Sequence, residues 1–120
     1  MRLVLIALAG AAGALTRYGI GVAVGVRSFP WTTLGINVVG SFLLAFLLTR
    51  ADQRGWSSDA TVPLSVGFLG AFTTFSTFSY ETITLLRTDR SGEAAGYVAA
   101  SIALGVAAAA AGYAAGRSAV

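Results

Sequence analysis

Thr73-Thr74-Phe75-Ser76-Thr77-Phe78-Ser79-Tyr80 puts six hydroxyl groups and two phenyl rings inside a run that is otherwise apolar and long enough to cross a bilayer. Hydroxyls in hydrocarbon cost free energy unless they are bonded, and Ser and Thr offer the backbone alternatives to helical hydrogen bonds. The octet therefore predicts a local break in a membrane-spanning helix. Irregular backbone at that depth survives only where protein buries it or where it borders an aqueous cavity. The stretch reads as part of a pore or binding site, with ordinary packing between helices as the plainer alternative.

The rest of the chain supplies the membrane setting. Its 120 residues are 56% hydrophobic and 11% charged, whereas charged residues make up about a quarter of a soluble domain. An all-α integral membrane protein follows. Cysteine and histidine are both absent, which removes disulfides, thiol chemistry, the usual transition-metal ligands and the commonest general base. Enzymatic function is not expected. The basic residues are all Arg and the net charge is +3, but they lie at segment ends rather than in a patch, so no nucleic-acid partner is expected.

Apolar runs over Leu3 to Val26, Trp31 to Leu48, Val62 to Leu86 and Ala94 to Ala115 each approach or exceed the roughly 20 residues of a membrane helix. They predict four transmembrane helices in one domain over 1–120, joined by Arg27 to Pro30, Arg50 to Ala60 and Arg87 to Glu93. The opening Arg2, apolar run and small residues Ala9 to Ala12 also have the look of a signal peptide. Because the apolar stretch continues through Arg17 and Tyr18 to Val26, it is read as helix one.

An even number of spans places both termini and the Arg50 to Ala60 loop on one side, with Arg2, Arg50, Arg54 and Arg117; the other side holds Arg27, Arg87 and Arg90. The Lys/Arg imbalance sets orientation, and here it nearly vanishes. Such a chain inserts both ways round and forms an antiparallel dual-topology dimer, or else is fixed by the slight excess or by its amino terminus. Four helices are also few to enclose a conduit. Gly21 with Gly25, and Gly112 with Gly116, have the GxxxG spacing of close helix packing.

Thr33, Asn37 and Ser41 recur at intervals of four and share one face of helix two. The Asn37 amide offers two N–H donors that would suit an anion stripped of water; the same group would equally satisfy a neighbouring helix. Phe75 and Phe78, at i and i+3, can face one way and present positive ring edges, or else pack in a core. A third span of this length leaves room for a break around Gly67, Gly70 and the hydroxyl run, where freed carbonyls would suit a hard cation such as sodium.

Three segments carry a family resemblance. Gly13 to Tyr18 (GALTRY), Thr33 to Phe42 (TLGINVVGSF) and Gly67 to Phe78 (GFLGAFTTFSTF) resemble, in order and spacing, the signatures of the Fluc fluoride channels, also called CrcB. The resemblance implies a dual-topology homodimer in a cell membrane, expected from the family to be the bacterial inner membrane. It also implies two fluoride pathways, passive export of fluoride, and a structural sodium ion on the dimer axis. By position in the signatures, Phe75 and Phe78 would line the pathways, Asn37 would be the amide donor, and the carbonyls of Gly70 and Thr73 would bind sodium. Tyr97, Ser101 and Thr33 resemble the family's polar track. Glu81 resembles a carboxylate near the pathway's end, or is a solvated interfacial charge. Arg17, deep in span one, either concentrates anions in a vestibule, pairs with a carboxylate or with carbonyls of a partner, or snorkels to the interface. Two departures stand out: Gly105 replaces a hydroxyl in the helix-four track, and Thr32 replaces a small residue.

The rival reading is a small multidrug-type proton-coupled antiporter, also a four-span dimer. It needs a titratable carboxylate within the membrane, and helix one offers Arg17 and no acid. A membrane scaffold without transport would explain the small-residue faces but not the hydroxyl and phenyl octet.

Overall fold

The computed structural model describes residues 1–118, so Ala119 and Val120, the last two of the expected domain, lie outside the described residues. Four apolar helical segments long enough to span a membrane fill them. The first two are α1 (Arg2–Val24) and α2 (Trp31–Arg54). The third, Ser58–Arg87, is two half-helices laid end to end. Its first half, α3, is an α-helical turn over Ser58–Val62, a π-helical stretch over Pro63–Leu69 and a last α-helical turn over Gly70–Phe72. Its second half is α4 (Phe75–Arg87), and the fourth span is α5 (Ser91–Ser118).

The second and third linkers are shorter than the charged residues suggest, whereas the first runs from Gly25 to Pro30 and begins two residues early. The segment expected to be a loop over Arg50 to Ala60 is helical except at Gly55 to Ser57. Arg50 and Arg54 belong to α2, because a helix can run past the apolar zone into water and carry its charges on the final turns. Gly55 ends α2 in the left-handed conformation, with its N–H on the carbonyls of Ala51 and Asp52. Such a C-cap suits glycine, which lacks the Cβ that makes positive φ costly.

Two seams hold the spans. Spans one and three run parallel, as do two and four. At the first seam, a Cβ on Gly13 would fall 2.2 Å from the carbonyl oxygen of Phe68, and one on Gly67 would fall 2.8 Å from that of Ile6. At the second, a Cβ on Gly112 would fall 2.2 Å from the Phe42 carbonyl oxygen, and Gly116 abuts Thr49 and Phe46. Backbones approach this closely only where side chains are missing, which is how helices gain packing when lipid is as apolar as Leu. The Gly112 and Gly116 reading therefore holds, whereas Gly21 and Gly25 pack against nothing among the described residues. Gly25 instead terminates α1 at φ 72°.

The chain measures 50 × 31 × 20 Å. The long axis matches a bilayer with its headgroups, about 40–45 Å. The thin axis is about two helix diameters, too little to wrap a conduit. At one end a small apolar cluster of Leu34, Leu85, Ala94 and Tyr97 joins α2, α4 and α5, with Phe29, Val38, Phe78 and Ala100 packed on it.

Gly112→Ala should lower the thermal unfolding midpoint in detergent, since forcing a methyl into a filled seam costs roughly 1–3 kcal/mol. Gly96→Ala, in the same helix but with no described atom within 4 Å of the added carbon, should leave the midpoint unchanged or raised. Equal midpoints would mean that α2 and α5 do not meet at Gly112.

Candidate functional site

The third span stops being helical at Thr73 and Thr74, whose ψ angles of 156° and 117° are extended. Three side chains stabilise this break. Asn37, in the second turn of α2, grips the Thr74 backbone from both sides: the Thr74 N–H donates to Asn37 Oδ1 at 2.8 Å, and Asn37 Nδ2 donates to the Thr74 carbonyl at 3.0 Å. The Thr74 hydroxyl accepts the Thr77 N–H at 3.2 Å and so caps α4, as Thr does at helix starts. Arg17 in α1 donates through Nε to the Ala71 carbonyl at 3.2 Å, placing a cation at the carboxyl end of α3, where the helix dipole favours one.

These bonds decide which carbonyls are left over. In a continuous helix the Thr74 N–H would bond Gly70, and the Thr77 N–H would bond Thr73. Both donors are diverted, the first to Asn37 and the second to the Thr74 hydroxyl. Gly70 and Thr73 thus lose their helical partners, and these are the two carbonyls assigned to a cation from the family resemblance. The Thr73 hydroxyl turns back to Leu69 at 2.9 Å, while its methyl lies where a Cβ on Gly40 would stand, 2.2 Å away. Hard carbonyl oxygens fit sodium chemically. Among the described residues no group of three or more His, Cys, Asp or Glu could hold a metal.

Asn37, Gly40, Ser41, Gly70, Thr73, Thr74 and Phe75 line a groove of about 260 Å³. Phe75 is 79% exposed there, with its ring 5.7 Å from that of Phe78. Phe78 turns inward and packs on Tyr97 at 5.1 Å. The two rings thus touch each other, but one faces the groove and the other the interior.

A second polar group gathers around Glu81. Thr33 Oγ1 donates to Glu81 Oε1 at 2.8 Å, and the Tyr97 hydroxyl donates to Oε2 at 2.6 Å. Thr33 and Tyr97 are buried and Glu81 is half-buried. Glu81 is therefore a bonded carboxylate in the protein, not a freely solvated charge. It lines an open groove of about 930 Å³ with Thr33, Thr74, Thr77 and the three arginines Arg17, Arg27 and Arg90.

The sequence-predicted residues thus fall into two neighbouring sets: Asn37, Gly70, Thr73 and Phe75 at the break, and Thr33, Phe78, Glu81 and Tyr97 beside it. Arg17 meets the Ala71 carbonyl of its own chain. Ser101 lies half-buried one turn beyond Tyr97 on α5, outside the bonds that join these residues. At Gly105, an added Cβ would lie 3.9 Å from the Ser41 hydroxyl, so α2 supplies a hydroxyl next to the position where span four lacks one. Sequence reasoning missed the role of Thr74, although the Thr74-Ser76-Thr77 pattern carried a helix-cap signal. It also missed the Ala71 carbonyl, which no side-chain pattern reveals.

Residues 4–113 match the family described as "CrcB-like protein, Camphor Resistance (CrcB)". Among curated relatives, a Thermus thermophilus protein named "Fluoride-specific ion channel FluC" is 44% identical over 104 residues, covering 84% of this chain and 83% of its own. The Idiomarina loihiensis protein of that name is 43% identical over 81% of this chain and 78% of its own. "Fluoride-specific ion channel FluC 1" of Symbiobacterium thermophilum is 43% identical over 85% of each. With four membrane-spanning segments, a third one broken at its hydroxyl run, and matches along nearly its whole length, this multi-pass membrane protein belongs to the CrcB family.

Proposed function

We propose that the chain is a passive fluoride channel, not an enzyme, and that it works as an antiparallel homodimer in a cell membrane, letting fluoride leave the cytoplasm. The carrying observation is the groove at the break. It presents carbonyls without helical partners, hydroxyls and an exposed Phe75 on one face of a slab 20 Å thick. Backbone acceptors at membrane depth cannot be left to lipid, so this face calls for a second protein surface. The nearly balanced arginine distribution permits a second copy in the opposite orientation. The names of the relatives supply fluoride as the ion.

Fluoride is small and strongly hydrated, so a selective route must replace its water with fixed donors while staying too narrow for larger halides. This chain offers the ring edges of Phe75 and Phe78, the hydroxyls of Thr33, Tyr97 and Ser101, and the second N–H of Asn37. Thr33 and Tyr97 both donate to Glu81. An arriving fluoride would compete with that carboxylate for them, which supports reading Glu81 as a rival acceptor on the pathway. Arg17 adds positive charge to the wider groove.

The carbonyls of Gly70 and Thr73, doubled by a partner, would hold a structural sodium ion. Bound there, sodium would supply fixed positive charge that offsets the cost of an anion in a low-dielectric interior. The antiporter reading lacks support, because the first span carries Arg17 and no acid and the relatives are named fluoride channels.

Liposomes loaded with fluoride should release it passively, read with a fluoride-selective electrode, while chloride from the same vesicles is retained. Phe75→Ile removes a ring edge, and Asn37→Asp loses the donor to Thr74 and sets a carboxylate against that carbonyl. Each should slow release by about tenfold or more, roughly 1.4 kcal/mol in barrier. Wild-type rates in both variants would remove these residues from the pathway, and ethidium efflux driven by a proton gradient would favour the antiporter.

Replacing sodium by a bulky organic cation, with exhaustive dialysis, should shift the protein from dimer to monomer in gel filtration and lower its unfolding temperature. An unchanged profile after complete exchange would count against the Gly70 and Thr73 assignment.

A further inference from the structure

Tyr97 is fully enclosed, with 0% of its surface accessible, and the wall around it comes from three parts of the chain. Phe78 of α4 packs on its ring at 5.1 Å. Leu34 of α2 belongs to the same buried cluster. A third contact lies outside every span: Phe29, in the short linker between α1 and α2, meets the Tyr97 ring edge to face, with centroids 5.5 Å apart and planes at 79°.

Phe29 is itself braced. Its carbonyl accepts the Trp31 N–H at 2.8 Å, closing a tight turn around Pro30, and its ring lies 4.6 Å from that of Trp31. Pro30 fixes one backbone angle of that turn. Phe29 also lines the larger groove, together with Glu81, Arg27 and Arg90. One ring therefore stands between an open, charged groove and an enclosed tyrosine whose hydroxyl is bonded to Glu81 at 2.6 Å. Edge-to-face contact fixes the attitude of an aromatic ring as well as covering it, and a hydrogen bond kept from water is stronger than the same bond exposed.

We propose that Phe29 is a positioning residue of the pathway, holding the Tyr97 ring so that its hydroxyl reaches Glu81 and keeping groove water from that ring. The inference rests on the fluoride reading of Tyr97. Its geometric part, the shielding of Tyr97 by a loop residue, can be measured without any transport. Phe29 lies outside the spans, and among the proposed pathway residues its ring contact is with Tyr97, so its effect on conduction is expected to pass through that ring.

Two measurements on the full-length protein test this. Tetranitromethane nitrates accessible tyrosine rings, and Tyr113, 52% exposed, serves as the internal standard. In the wild type Tyr97 should be protected. In Phe29→Ala its nitration relative to Tyr113 should rise by about tenfold, while Phe29→Trp, which restores an aromatic wall, should protect it again. Where the Ala variant loses its assembly in gel filtration, Phe29→Leu makes the same comparison with apolar bulk retained and the ring removed.

The second measurement is fluoride efflux from vesicles in a double-mutant cycle. Phe29→Ala and Tyr97→Phe should each slow efflux, and the double variant should be no slower than Tyr97→Phe alone, as expected of residues acting through one bond. Rate losses that multiply, or Tyr97 still protected in Phe29→Ala, would overturn the proposal. Wild-type vesicles without efflux would overturn the channel reading instead, and the nitration contrast then decides the shielding role by itself.

Discussion

The reciprocal bonding between the Asn37 amide and the Thr74 peptide is the constraint from which the rest of the site follows. An extended pair of residues in the middle of a membrane span exposes N–H and C=O groups that lipid cannot satisfy. A side chain with one acceptor and one donor in a plane can stand in for a neighbouring strand, and Asn37 does so at 2.8 and 3.0 Å. Leaving either buried group unpaired would cost roughly 1–3 kcal/mol, enough to favour a continuous helix. Asn37 makes the break affordable, and the break in turn sets which backbone atoms face the groove.

The seams explain how Asn37 comes to be in reach. Asn37 sits on α2 and Thr74 on the third span, and α2 reaches Thr73 through Gly40, where a methyl would collide with the threonine side chain. On the other flank Gly13 and Gly67 draw α1 against α3 and bring Arg17 to the Ala71 carbonyl. Small residues thus act at a distance from the chemistry: they set helix separations to within the tolerance of a hydrogen bond. The π-helical stretch begins at Pro63, a residue with no N–H to give to the turn before it, and runs to Leu69 on the seam with α1.

The fold was legible because a bilayer imposes length and polarity on each segment, and four apolar runs with charged ends permit little else. The break was legible from Thr73 to Tyr80, since no lipid-facing helix gains from six hydroxyls in eight residues. The extent of the helices was not, because Arg50 and Arg54 read as loop residues although an α-helix can carry them into water. The part of Asn37 was half legible. Its spacing with Thr33 and Ser41 marked a polar face, but whether an amide serves an ion or a backbone depends on a neighbour 37 positions later, which spacing along one helix cannot give. Phe29 was hidden for a similar reason, since a phenylalanine before a proline in a linker looks like an interface anchor until its ring is seen against Tyr97.

The two half-helices also sort charge. At the carboxyl end of α3 the spare groups are carbonyl oxygens, and a helix dipole adds negative potential there; at the start of α4 the backbone offers N–H groups and positive potential. Acceptors at one end and donors at the other cannot both suit the same ion. The α3 end already attracts one cation, the Arg17 guanidinium on Ala71, and its two unpartnered carbonyls at Gly70 and Thr73 are chemically fit for another. The donors that suit a small anion are on side chains and ring edges running from Phe75 through Phe78 to Tyr97 and Thr33, beyond the start of α4. A single interruption of one helix therefore sets backbone acceptors and negative potential on one side of the break and backbone donors and positive potential on the other, and on the proposed reading a cation held at the first would lower the cost of an anion passing the second.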